Sequence, residues 1–148
     1  MSELKTILLA EDNPKDVELT LEAMAENNLA NQVVVVKDGL EALEYLRCEG
    51  KYKLRNAGNP ALILLDIKMP RMDGIEVLRR IRSDAALKRI PVVVLTSSRE
   101  EKDLINTYDL GVNAYVVKPV KFQQFIEAVK QIGSFWAVIN EIPPEGGL

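Results

Sequence analysis

Five short apolar runs punctuate the chain: ILLA at 7–10, VVVV at 33–36, LILL at 62–65, VVVL at 92–95 and AYVV at 114–117. Each is too short and too continuous to be one stripe of a surface helix, and each is bounded by polar or turn-forming residues, which predicts buried strands. The stretches between them repeat their apolar residues at helical spacing. Val17, Leu21 and Met24 share a face within 15–27, and Leu40, Leu43 and Leu46 within 39–47. Ile75, Leu78 and Ile81 do so within 74–82, and Phe122, Phe125, Ile126 and Val129 within 122–132. The fourth interval, 100–110, is of mixed polarity and shows the least regular pattern. Asp38 before Gly39 and Asp73 before Gly74 suit helix N-caps, and Gly111 and Gly133 suit helix ends. Strands alternating with amphipathic helices predict an α/β, doubly wound (βα)5 domain with a parallel sheet covered on both faces. Residues 49–60 read as a long, polar, exposed loop, and the final PPEGGL as a frayed tail.

Composition narrows this picture. A chain of 148 residues, 47% apolar and 28% charged, forms about one globular domain. Its net charge of −3 gives no electrostatic case for nucleic acid. No run approaches the roughly 20 apolar residues of a membrane span, and the N-terminus has no signal-peptide pattern, so a cytoplasmic protein is expected. The one cysteine, Cys48, excludes an internal disulfide and reads as a structural thiol at a helix end. The chain has no histidine, which removes Ser-His-Asp and Cys-His catalysis and every His-based metal site.

What remains is chemistry at the strand ends. The first run ends in Glu11-Asp12, the third in Asp66, the fourth in Thr96-Ser97 and the fifth in Lys118-Pro119. In an open α/β sheet, ligands bind outside the carboxyl ends of the strands. If the first and third strands are neighbours, three carboxylates converge and repel one another, raising at least one pKa. A hard divalent cation such as Mg2+ relieves that repulsion, because it takes oxygen ligands and needs only one or two carboxylates. A carboxylate such as Asp66 can also attack phosphorus to form an acyl phosphate, with Lys118 and the Thr96 hydroxyl contacting the phosphoryl oxygens. Each residue taken alone has a plainer reading: a helix-dipole charge for Glu11-Asp12, a turn former for Asp66, a helix cap for Thr96, a surface charge for Lys118. Their recurrence at the same end of successive strands favours one shared site.

The stretches ILLAEDN, LILLDIKMPRMDG, VVVLTSS and GVNAYVVKPV, in that order, resemble a CheY-like receiver domain of two-component signalling. The resemblance covers residues 4–134 and implies a flavodoxin-like sheet in the order 2-1-3-4-5. It implies that Asp66 is the phosphoacceptor, and that Asp12 and Asp66 supply Mg2+ carboxylates, with Glu11 completing the acidic pocket and Lys68 adding a backbone carbonyl. Thr96 becomes the switch hydroxyl, Tyr115 the switch aromatic and Lys118 the phosphate-contacting lysine, with the Lys118-Pro119 bond cis. Glu11 stands where the family more often has Asp.

A narrower resemblance takes in EDNPKDVELTLEA, VVVVKDGLEALEYL, the 49–60 loop and FWAVINEIPP. These look like the response regulators that partner bacterial phytochromes, implying a sensor histidine kinase as phosphoryl donor and frequent homodimers. Residues 1–134 are then the receiver and 135–148 a C-terminal extension, with no output domain expected. Phe135 and Trp136 have helical spacing with Ile132 and Ile139, so Trp136 fits either its own domain's core or a dimer interface. The resemblance implies a phosphoacceptor switch rather than an enzyme, beyond catalysis of its own phosphorylation and dephosphorylation. The competing functions are a phosphorelay intermediate and a protein-binding receiver that is not phosphorylated. A phosphatase of the haloacid-dehalogenase type fits poorly, because Lys68 stands where its second acid belongs. A flavin binder fits poorly too, because Glu11-Asp12 would repel a phosphate.

Overall fold

The computed structural model describes residues 6–26, 32–55 and 58–131. The strands are β1 (Ile7–Ala10), β2 (Val33–Val36), β3 (Leu62–Asp66), β4 (Val92–Thr96) and β5 (Ala114–Val117), all parallel and in the order β2-β1-β3-β4-β5. The helices are α1 (Pro14–Ala25), α2 (Gly39–Arg47), α3 (Gly74–Arg82), α4 (Arg99–Asn106) and α5 (Phe122–Gln131). The doubly wound architecture and the strand order are those expected. Among the described residues no helix is long and apolar enough to cross a membrane.

The continuous apolar strands divide their side chains between two cores, because successive residues point to opposite faces. Leu8, Ile63, Leu65, Val92 and Val94 join Leu43, Leu46, Val77, Leu78, Ile81 and Ile105 on one face. Ile7, Leu9, Leu62, Leu64, Val93 and Leu95 join Met24, Phe125 and Val129 on the other. Burying β1, β3 and β4 on both sides leaves their carboxyl ends as the place where polar groups can gather.

Four helices start on a side-chain cap that satisfies their unpaired N–H groups. Asn13 accepts from Lys15 and Asp16, Asp38 from Glu41, Asp73 from Glu76 and Ser98 from Glu101. Cys48 does close a helix, as the left-handed residue after α2 at φ 57°. The first turns of α2 and α3 press on the loop that follows Asp66. A Cβ at Gly39 would lie 2.1 Å from the Met72 carbonyl oxygen, and one at Gly74 would lie 2.3 Å from that of Asp66. Both positions therefore require glycine.

Three expectations need correction. Leu40 lies on the solvent side of α2 at 38% exposure, and Ala42 and Tyr45 complete the buried face instead. The fourth helix ends at Asn106, and Gly111 (φ 68°) belongs to the connection to β5 rather than to the helix end. Residues 49–55 are not a free loop. They form a 3-10 turn, Gly50–Tyr52, whose Tyr52 hydroxyl donates to Glu41 at 2.7 Å and whose ring meets Tyr45 edge-on. Gly133, Phe135, Trp136 and the PPEGGL tail lie outside the described residues.

Candidate functional site

Strand register assembles the site. Ala10 pairs with Leu65, Asp66 with Leu95 and Thr96 with Val117. One step along each strand then sets Glu11, Asp66, Thr96 and Lys118 along a single edge. Main-chain bonds from Glu11 N–H to Val36 O (3.0 Å) and from Lys118 N–H to Thr96 O (2.8 Å) carry the pairing one residue past the strands. The Lys118-Pro119 peptide is cis.

Glu11, Asp12 and Asp66 each offer a carboxylate oxygen within 4.8 Å of the others. Glu11 and Asp66 are buried and Asp12 is exposed, so the cluster opens to solvent on the Asp12 side. Three hard oxygen donors this close suit a hard divalent cation. Burial, and then the charge of Asp66, push the Glu11 carboxyl up to about 7. Burial also raises Asp66, against the opposing pull of Lys118. With a cation present the same oxygens would be held ionised.

Lys118 stands opposite them. Its ammonium donates to Asp66 Oδ1 at 3.1 Å, Asp16 Oδ2 at 3.1 Å and Glu11 Oε1 at 3.3 Å. Burial alone would lower its pKa, but the hydrogen bond to Asp16 and the charge of Asp66 prevail and raise it. Lys118 is therefore a fixed positive charge across the working pH range. The Thr96 hydroxyl is fully buried and has no hydrogen-bond partner. An orphaned buried hydroxyl costs stability until an acceptor reaches it.

Tyr115 is half-buried on β5, and its hydroxyl donates to Asn106 Oδ1 at the end of α4. Burial raises its pKa, and the Lys102 ammonium lies 5.1 Å from the ring centroid. Lys68 is exposed, its ammonium 3.9 Å from Glu101 Oε2, and the other Glu101 oxygen accepts the Ser97 N–H at 2.9 Å. These contacts join the loop after Asp66 to the start of α4. The structure thus brings Glu11, Asp12, Asp66 and Lys118 into one constellation, with Tyr115 held toward α4.

Sequence reasoning missed Asp16. A carboxylate in the first turn of a helix reads as a dipole charge. Only the capping Asn13, which fixes where α1 begins, could have placed it one turn beyond the acid pair and within reach of Lys118.

Comparison with known proteins gives a consistent result. The family model described as "Response regulator receiver domain" matches residues 7–130. Response regulator Rcp1 of Synechocystis sp. (strain ATCC 27184 / PCC 6803 / Kazusa) is 40% identical over 139 residues, covering 94% of this chain and 93% of that protein. Among solved structures, the bacteriophytochrome response regulator RtBRR is 56% identical with a TM-score of 0.87, over 96% of this chain and 86% of that one. The phosphorylated cyanobacterial phytochrome response regulator RcpA is 47% identical with a TM-score of 0.73, over 96% of this chain and 100% of that one. The Mn(2+)-bound form of Rcp1 has a TM-score of 0.70 at 40% identity, over 93% of this chain and 96% of that one.

Proposed function

This chain belongs to the response regulator receiver family, and on that premise we propose that it accepts a phosphoryl group on Asp66 from a phytochrome-type sensor histidine kinase. The observation that carries the assignment is Asp66 itself: a buried strand-end carboxylate 3.1 Å from the Lys118 ammonium, on the same sheet edge as the unpartnered Thr96 hydroxyl. In the transfer an Asp66 oxygen attacks phosphorus. The P–N bond of the donor phosphohistidine breaks, and its electron pair stays on the imidazole nitrogen. Lys118 and Thr96 receive the phosphoryl oxygens, whose charge they offset.

Glu11, Asp12, Asp66 and the Lys68 carbonyl would hold a divalent cation, Mg2+ in our reading, which supplies charge neutralisation at the phosphoryl oxygens. The Mn2+-bound Rcp1 structure and the phosphorylated RcpA structure support both halves of this assignment. The chain is a phosphoacceptor rather than an enzyme acting on other molecules; the same residues assist only its own phosphorylation and dephosphorylation. Drawing the Thr96 hydroxyl toward the phosphoryl group would free Tyr115 to leave Asn106, and so alter the α4–β5–α5 face. A cytoplasmic homodimer that uses this face and Trp136 completes the proposal. Sedimentation of wild type and Trp136→Ala over a concentration series tests the pairing, and a monomeric wild type at high micromolar concentration rejects it.

The central experiment is mass measurement after incubation with acetyl phosphate and Mg2+. One hydroxylamine-labile phosphoryl adduct is expected on the wild type and none on Asp66→Asn. An adduct that persists in Asp66→Asn sinks the assignment.

A further inference from the structure

An ammonium group has three N–H donors. Those of Lys118 meet Glu11, Asp66 and Asp16, so none is spare. The three acceptors differ in kind. Glu11 and Asp66 belong, with Asp12, to the carboxylates within 4.8 Å of one another, and Asp16 does not. Asp16 stands on the first turn of α1, where the Asn13 cap accepts its N–H at 3.1 Å and the Thr20 hydroxyl donates to its carbonyl at 2.8 Å. Its carboxylate therefore reaches Lys118 from a fixed backbone.

The difference matters once the other two acceptors are engaged elsewhere. Glu11 and Asp66 are oxygens a divalent cation would take, and positive charge beside them repels the ammonium. Asp66 also gives up its own carboxylate charge when one of its oxygens bonds to phosphorus. Asp16 lies outside that carboxylate cluster and forms no bond to phosphorus, so its contact with Lys118 is not diverted. We propose that Asp16 is a positioning residue for phosphoryl transfer, acting through Lys118. It retains the ammonium at the site and aims it at the phosphoryl oxygens while Glu11 and Asp66 are otherwise occupied. The inference rests on the receiver reading of Asp66 and Lys118. Asp16 makes and breaks no covalent bond in the step; the bond to phosphorus forms at Asp66 and the donor leaves with its electron pair.

A double-mutant cycle tests this, with phosphorylation by acetyl phosphate followed by mass. Asp16→Asn, which keeps the shape and removes the charge, is expected to slow the reaction roughly tenfold, the scale of a modest misplacement. Asp16→Glu restores the charge and should recover most of the rate. In a Lys118→Met background, which keeps the stem and removes the ammonium, Asp16→Asn should change nothing further. Equal slowing in both backgrounds would assign Asp16 a structural role and overturn the proposal, as would an unchanged rate in Asp16→Asn alone. A readout independent of turnover is the nitrogen-15 signal of the Lys118 ammonium. With saturating Mg2+, which engages Glu11 and Asp66, it should be visible in the wild type and lost to solvent exchange in Asp16→Asn; its persistence there counts against the proposal. Failure of the receiver reading looks different: the wild type itself would take no phosphoryl group.

Discussion

Asp38 serves two elements with one carboxylate. Its Oδ1 caps α2 by accepting the Glu41 N–H at 2.8 Å, while the Arg71 guanidinium clasps both oxygens, at 2.9 Å to Oδ2 and 3.2 Å to Oδ1. Arg71 holds this position at φ 64°, a left-handed angle that favours glycine. Asp38→Ala removes cap and clasp together and should cost about 1–2 kcal/mol, read as a lower urea midpoint. Arg71→Ala should cost less, because its side chain is largely exposed. Arg71→Gly should melt above Arg71→Ala, since both lose the clasp and only glycine fits the angle freely. The opposite order would show that backbone angle plays no part.

Thr96 presents a buried hydroxyl without a partner. Thr96→Val removes that penalty while nearly keeping the shape, so the unmodified protein should gain about 1 kcal/mol of stability. Phosphorylation should reverse the ranking, because only threonine can then donate to a phosphoryl oxygen. Thermal melts of both proteins, with and without acetyl phosphate and Mg2+, give the comparison. A Val variant less stable than wild type before phosphorylation would mean the hydroxyl already has a partner.

Glu11 sets a pH dependence of unusual sign. Its folded pKa is raised to about 7 from an ordinary 4.5, so the folded protein binds more protons across that interval. As far as Glu11 contributes, stability in chelator should therefore be fully present below pH 4.5 and fall as pH rises from there through about 7. At about 1.4 kcal/mol per pKa unit the loss is at most ~3 kcal/mol. Glu11→Gln should flatten that slope, and saturating Mg2+ should restore stability at neutral pH. Denaturant midpoints at stepped pH, with and without Mg2+, measure both effects.

Glu41 behaves in the opposite way. Burial would raise its pKa, but the Lys37 N–H, the Lys51 ammonium and the Tyr52 hydroxyl together lower it below 4.5. The stability it contributes is present above pH 4.5 and is lost as pH falls through the lowered value. Tyr52→Phe removes one charge-assisted bond and should cost about 1–2 kcal/mol at pH 7. The difference from wild type should narrow as pH falls through that lowered value and the carboxylate takes up its proton. A constant difference across pH would attribute the loss to packing.

The parts of the fold visible in the sequence are those that repeat locally. The apolar runs became β1 to β5, and in β1, β3 and β4 they are unbroken because a strand buried on two faces has no polar position to spare. The strand-end residues met because parallel register carries equivalent positions to one edge. Leu40 went astray for the converse reason: helical spacing says which residues share a stripe, not which end of the stripe overhangs the sheet. Tyr52 and Glu41 are eleven residues apart, at no regular period, so their bond anchoring the 49–55 segment leaves no pattern to find. Asp16 was hidden because its partner lies 102 residues away.

The contact between Gly74 and the Asp66 carbonyl has a consequence for genetics. Any side chain at position 74 must displace the backbone of Asp66 itself, because the obstructing atom is a main-chain oxygen 2.3 Å from the new carbon. A screen for signalling-dead alleles should therefore return position 74 beside position 66. The Gly74 alleles would leave every charged and hydroxyl group of the site unaltered in the gene and still misplace the nucleophile.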